Sequence, residues 1–269
     1  WRGKAGLLDC VRPASGGSAK DYHLRLRDAK TGEEWGRLAE GYGLASIFVH
    51  DGTAYVFASR WEAGGWRDVT AFRSRDLRHW ESDLAIKGEN EGLFNSSVCE
   101  GPDGFVMAYE SDDPRYPAFT IKFARSKDLK AWAKLPEATF GTDRYTACPC
   151  VRYAGGYYYV LYLERREPRW FFETYITRTR DLRHWERSAA NPVLSPEGLD
   201  ESINASDPEL AEENGRTVIY FCVGDQLTWA NIKRAVFPGR LREFLESWYK
   251  APGIPDRGSL GADGAAQTR

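Results

Sequence analysis

The phrase SRDLRHW, Ser74 to Trp80, constrains this chain more than any other stretch because it recurs. It returns as SKDLKAW, Ser126 to Trp132, and as TRDLRHW, Thr179 to Trp185, so the tryptophans stand 52 and 53 residues apart. A near-constant period of that size marks stacked supersecondary units, none of which can bury its apolar face alone. The Asp of each copy suits a turn, where its carboxylate accepts backbone N–H groups, and Leu and Trp suit packing between units. His79 and His184 sit inside the same phrase and carry no partner pattern for acid–base chemistry.

Each copy follows two alternating apolar runs joined by a tight turn. Ala45–Arg60 turns at His-Asp-Gly-Thr, Ser96–Ser111 at Gly-Pro-Asp-Gly, Ala147–Glu164 at Gly-Gly and Ser206–Asp225 at Asn-Gly. These are hairpin signals. A third strand precedes each DL-x-x-W, and WESDLAIKG and WERSAANPVLS imply a fourth. Four antiparallel strands in about 50 residues make a propeller blade. The expected fold is all-β, a five-bladed β-propeller with four strands per blade, in one domain over 1–250. Four blades occupy about 41–250. Residues 1–40, with the loop RPASGGSAK and the strand-and-turn DYHLRLRDAKTGEEW, resemble the second half of a repeat and complete the fifth. RLREFLESW is helix-like, and 251–269 reads as a flexible tail.

Composition excludes several partners. A net charge of −2 on 269 residues gives no electrostatic reason to expect nucleic acid or an anionic membrane. The longest apolar runs, such as Tyr157 to Leu163, are too short to span a bilayer. Of Cys10, Cys99, Cys148, Cys150 and Cys222, four lie within or beside apolar strand-like segments, which suits buried free thiols, and no second Cys/His pair gives Cys148-Pro-Cys150 a zinc spacing. Free thiols and the lack of a visible leader favour the cytoplasm, while a start at Trp1 also allows secretion with a leader already removed. Oligomeric state stays open.

Strand direction puts the hairpin turns and the DL-x-x-W turns at one end of each blade and the long connections at the other. Those connections are rich in acids, arginine and aromatics: Arg60 and Trp61, Glu91 and Asn95, Glu110, Asp143 to Tyr145, Glu164, Asn204, Asp207, and Asp225 with Gln226. Aligned on the second strand, Arg60, Glu110 and Glu164 take equivalent places. Carboxylates, guanidiniums and aromatic faces around a funnel suit a polyhydroxylated ligand.

The blade length and the S-x-DL-x-x-W ending resemble the five-bladed propeller glycoside hydrolases of families 43, 32 and 68. That resemblance covers about 41–250 and implies a pocket in which one carboxylate is base or nucleophile, a second is general acid and a further Asp tunes the pair. Ser206-Asp207-Pro208 is similar to the family's inner-strand Asp-Pro. Ala147-Cys148-Pro149 stands where the family carries Glu-Cys-Pro or Glu-Ala-Pro, so its usual acid is missing. The resemblance therefore implies glycosidic hydrolysis with Asp207 as base or nucleophile. The acid is Glu164 or Glu110, kept protonated by burial and neighbouring negative charge, and Asp143 is a third carboxylate. Arg60, Trp61, Glu91, Asn95, Arg144, Tyr145, Asn204, Asp225 and Gln226 would hold substrate. No cofactor or metal is required, and a structural calcium ion stays open. The alternative is a carbohydrate-binding propeller that has lost the acid.

Overall fold

The computed structural model describes residues 5–11, 18, 21–166, 171–198 and 200–250. The expected tail and nearly all of the RPASGGSAK loop lie outside them. The described residues form eighteen β-strands and one short α-helix. They fall into two compact units, 1–143 and 144–269.

The first unit has three antiparallel sheets. β1 (Gly6–Val11), β2 (His23–Asp28) and β3 (Glu34–Leu38) form one. β4 (Tyr42–His50), β5 (Thr53–Glu62), β6 (Gly65–Ser74) and β7 (Glu81–Ile86) form the second, in chain order. β8 (Leu93–Gly101), β9 (Gly104–Ser111), β10 (Thr120–Ser126) and β11 (Trp132–Phe140) form the third. In the second unit β12 (Thr146–Ala154), β13 (Tyr157–Arg166), β14 (Phe171–Thr179) and the two-residue β15 (Glu186–Arg187) make one group. β16 (Asn204–Glu213), β17 (Arg216–Gly224) and β18 (Ala230–Phe237) make another, followed by helix α1 (Leu241–Ser247). One parallel pairing, Phe172 with Asn204, joins these two groups.

Four strands per group therefore holds for the middle three groups and fails at both ends. The N-terminal segment has a first strand, β1, of sequence GLLDCV, ahead of the strand and turn expected there. The WERSAANPVLS stretch gives only two strand residues because Asn191 takes over. Its side-chain amide accepts from Ile176 N–H at 2.8 Å and donates to Ile176 C=O at 2.9 Å, standing in for a strand partner.

The repeat phrase is a turn that converts backbone strain into burial. Asp76, Asp128 and Asp181 each accept two backbone N–H bonds at 2.8–3.0 Å, from residues two and three further on. Those bonds hold the Asp76 and Asp181 carboxyls well below the usual range, His79 and His184 contributing most, and lower Asp128 as well. Leu77, Leu129 and Leu182 have φ of 63°, 62° and 62°. A left-handed leucine costs about 1–2 kcal/mol. Each side chain is 5 % exposed or less, and burying it returns roughly 1.5–3 kcal/mol. Leu77 and Trp80 pack with Leu24, Val56 and Phe72 between the first two sheets, and Leu129 and Trp132 pack with Phe57 and Met107 between the next two.

The cysteines depart from expectation. Only Cys99 and Cys150 are buried, while Cys10 is exposed and Cys148 and Cys222 are partly so.

Candidate functional site

Register decides which expected residues can meet. Ala54 pairs with Ser74, Phe105 with Ser126 and Tyr158 with Thr179, just ahead of each Asp turn. The Asp turns thus lie at the hairpin-turn end of their sheets. The opposite end carries Tyr42 paired with Arg60 and Thr146 paired with Glu164. Counting from the hairpin end, Glu164 matches Arg60 and Ser111, whereas Glu110 matches Ser59 and Leu163. The equivalence of Glu110 with Glu164 fails by one residue, and one residue on a strand turns a side chain to the other face.

Every first strand of the four later groups also carries a β-bulge. Each has two residues opposite one across positions 44–45, 94–95, 148–149 and 207–208. Leu44, Cys148 and Asp207 are left-handed there, at φ 54°, 48° and 52°. A bulge re-aims a side chain out of the pleat. Asp207 is consequently exposed, with Ser206 Oγ donating to Oδ2 at 2.6 Å. Asn95 occupies the bulge of β8 and donates from Nδ2 to Glu110 Oε2 at 2.8 Å, with Glu110 4 % exposed.

In the second unit Glu164 lies directly across the strand pair from Glu173. Both are 7 % exposed. Paired positions on adjacent strands place Cβ atoms about 5 Å apart, so two buried carboxylates share one face. Tyr162 and Tyr175, two residues along on that face, donate to them: Tyr162 Oη to Glu164 at 3.3 Å and Tyr175 Oη to Glu173 at 2.8 Å. Burial first, and the carboxylates next, push both phenols well above their usual range, which keeps them donors. Ser195 Oγ also donates to Glu173, at 2.6 Å. Three arginines close the group. Arg187 donates to Glu164 Oε2 at 3.0 Å, Arg144 lies 3.7 Å from the same oxygen, and Arg166 stands 4.0 Å from Glu164 and 3.4 Å from Glu173. Glu173 supplies the negative neighbour expected beside Glu164; Arg144 was expected as a substrate contact, whereas Arg166 and Arg187 were not singled out. Beside the group, Arg165 lies over the Tyr145 ring at 5.6 Å, and that ring packs on Phe172.

Other expected residues are engaged differently. Glu91 is an internal ion-pair partner: Ser111 Oγ and Lys122 Nζ both donate to it. Lys122 also bonds Asp113 at 2.6 Å, and Arg115 grips Asp113 bidentately. Asp225 spends its carboxylate on its own loop, accepting Leu227, Thr228 and Trp229 N–H at 2.7–3.0 Å on Oδ1 and the Thr228 hydroxyl on Oδ2. With Gln226 at φ 65°, this repeats the Asp-turn conformation between β17 and β18. Arg60 is half-exposed and pairs with Glu62 at 3.6 Å. Trp61 packs on Trp66, centroids 5.3 Å apart, and Trp66 packs on Tyr22. Asn204 is 1 % exposed, and among the described residues nothing donates a hydrogen bond to its Oδ1. Asp143 is exposed.

Glu173 and Lys122 were missed. Their signal was present: FFETYI and FTIKFA each place one charge in the middle of an apolar strand, which is stable only with a buried partner.

No protein-family model matches the chain, and neither does any curated protein sequence. Solved structures do match. An α-L-arabinofuranosidase from Clostridium thermocellum superposes at a TM-score of 0.64 with 14% identity, over 88% of this chain and 86% of that one. A GH130 glycoside hydrolase that targets β-1,2-mannosidic linkages superposes at 0.62 with 13% identity, over 87% and 81%. A GH32 β-fructofuranosidase from Bombyx mori superposes at 0.55 with 19% identity, over 75% and 48%. The chain shares the fold of the propeller glycoside hydrolases. At these identities the likeness extends to fold alone. Among the described residues, no helix is long and apolar enough to cross a membrane.

Proposed function

We propose that the chain is a glycoside hydrolase acting on an oligo- or polysaccharide in the funnel of a five-bladed propeller. The observation that carries this reading is the buried Glu164–Glu173 pair, set by strand register at the loop end of its sheet. Hydrolysis of a glycosidic bond needs one carboxyl that protonates the leaving oxygen and one carboxylate that activates water or attacks the anomeric carbon. Asp207 takes the second role, because the β16 bulge turns its carboxylate outward to solvent. Glu164 takes the first, with Glu173 beside it. Arg144 and Tyr145, next to that pair, hold substrate.

The second reading, a carbohydrate-binding propeller without turnover, is favoured by the three arginines around Glu164, which engage its carboxylate in ion pairs. Assays with aryl furanosides, aryl pyranosides and oligosaccharides separate the two. Hydrolysis lost in both Asp207→Asn and Glu164→Gln, with thermal stability retained, supports the enzyme. Binding without hydrolysis in the wild type overturns it.

A further inference from the structure

Arg166 ends β13 with its side chain 45 % exposed, beside two buried carboxylates. It stands within ion-pair distance of both, yet it donates no hydrogen bond to any described residue. Glu164 already has a bonded guanidinium, Arg187, and Glu173 has the Tyr175 and Ser195 hydroxyls. Among the described residues the Arg187 side chain makes a single hydrogen bond, and it is 39 % exposed. Each guanidinium has five N–H donors in a planar fork, so most donors on these two point at no described acceptor. Both cations also lie on the same ring, 5.9 and 5.5 Å from the Tyr175 centroid. That contact restrains both guanidiniums at the rim of a buried polar group.

A neutral sugar offers hydroxyls, which such forks bind weakly. A planar or tetrahedral anion matches them with paired, charge-assisted bonds. We propose that Arg166 and Arg187 form an anion-binding subsite, so that the saccharide recognised here carries a carboxylate or sulfate group. This rests on the carbohydrate reading above and names the substrate class for the same site.

The test compares a galacturonate trisaccharide with its methyl ester, and a sulfated galactose with galactose, by titration calorimetry on the full chain. The first pair differs by one methyl and a charge, the second by the sulfate group itself. The expected result is binding at least about tenfold tighter for one charged member, equivalent to about 1.4 kcal/mol. The preference should shrink as salt rises from about 20 to about 200 mM. Which charged member wins identifies carboxylate or sulfate as the group. Arg166→Met should abolish the preference while Arg166→Lys keeps part of it, which separates loss of charge from loss of fold. Equal binding of charged and neutral members, binding of neither, or a preference that survives Arg166→Met overturns the proposal. Hydrolysis of neutral glycosides with no charge preference overturns this subsite and leaves the hydrolase reading standing. Charge-selective binding without hydrolysis does the reverse.

Discussion

Lys122 offers the sharpest test of how the first unit is built. Its ammonium lies between Glu91 and Asp113, and the three side chains are only 10 %, 11 % and 7 % exposed. At that burial the exposed-pair rule of 0–1 kcal/mol does not apply. Removing the cation leaves two carboxylates facing each other out of water, and breaking a buried pair costs roughly 3–5 kcal/mol. Asp113 keeps Arg115, and Glu91 keeps Ser111 and a more distant Lys134 at 3.7 Å, so the lower half of that range is expected. Lys122→Met should therefore lower stability by about 3 kcal/mol, or on the order of 10 °C in Tm for a unit of this size. Urea denaturation with an unchanged slope would assign the loss to stability alone. Adding Glu91→Gln to Lys122→Met should recover part of it, because the charge left unpaired is removed. A loss under about 1 kcal/mol, or no recovery in the double variant, would refute the reasoning and restore Glu91 as a candidate ligand contact.

Acid should weaken the fold through specific carboxylates. Arg115, and after it Lys122, hold Asp113 well below the usual range; at Asp9 burial works the other way, but Arg27 and Arg25 outweigh it. A depressed folded-state value adds stability that is present above the unfolded carboxylate range, near about 4, and is lost as pH falls through the folded value. Tm should hold from neutral pH to about 5 and drop below about 4, and Asp113→Asn should flatten that drop. Gly43→Ala should destabilise by about 1–3 kcal/mol through overpacking. A Cβ there would come 2.7 Å from the Trp66 ring and 2.9 Å from Cys10 Sγ, and tryptophan fluorescence would report the shift. Asp181→Ala should cost about 1 kcal/mol, by analogy with helix caps, and leave saccharide binding intact. If it abolishes binding while the melting temperature is unmoved, the turn role is wrong.

Local chemistry made much of this legible without coordinates. The DL-x-x-W phrases announced their turns because each job is done within seven residues: an Asp to gather N–H groups, a Leu to be buried, a Trp to pack. Hairpins at Asp51-Gly52 and Asn214-Gly215 were equally local, since both positions are left-handed and these residue pairs tolerate that conformation. The helix at Leu241–Ser247 followed from its amphipathic pattern.

What lay beyond the sequence depended on register and on partners distant in the chain. A bulge adds one residue and reverses the side chains beyond it, so only the ladder shows that Asp207 turns outward; likewise only the register counted from each hairpin shows that Glu110 sits one place short of the position Glu164 takes. Glu91 and Asp225 looked like ligand contacts because composition cannot reveal Lys122, 31 residues on, or a carboxylate folded back on its own loop. Glu173 stood in plain view inside FFETYI, but its meaning came from Glu164 across the strand pair. Sequence by itself determined the repeat, its hairpins and its Asp turns, because turns and alternation are short-range. Tertiary structure alone decided which carboxylates meet, because that depends on a one-residue register that no local preference encodes.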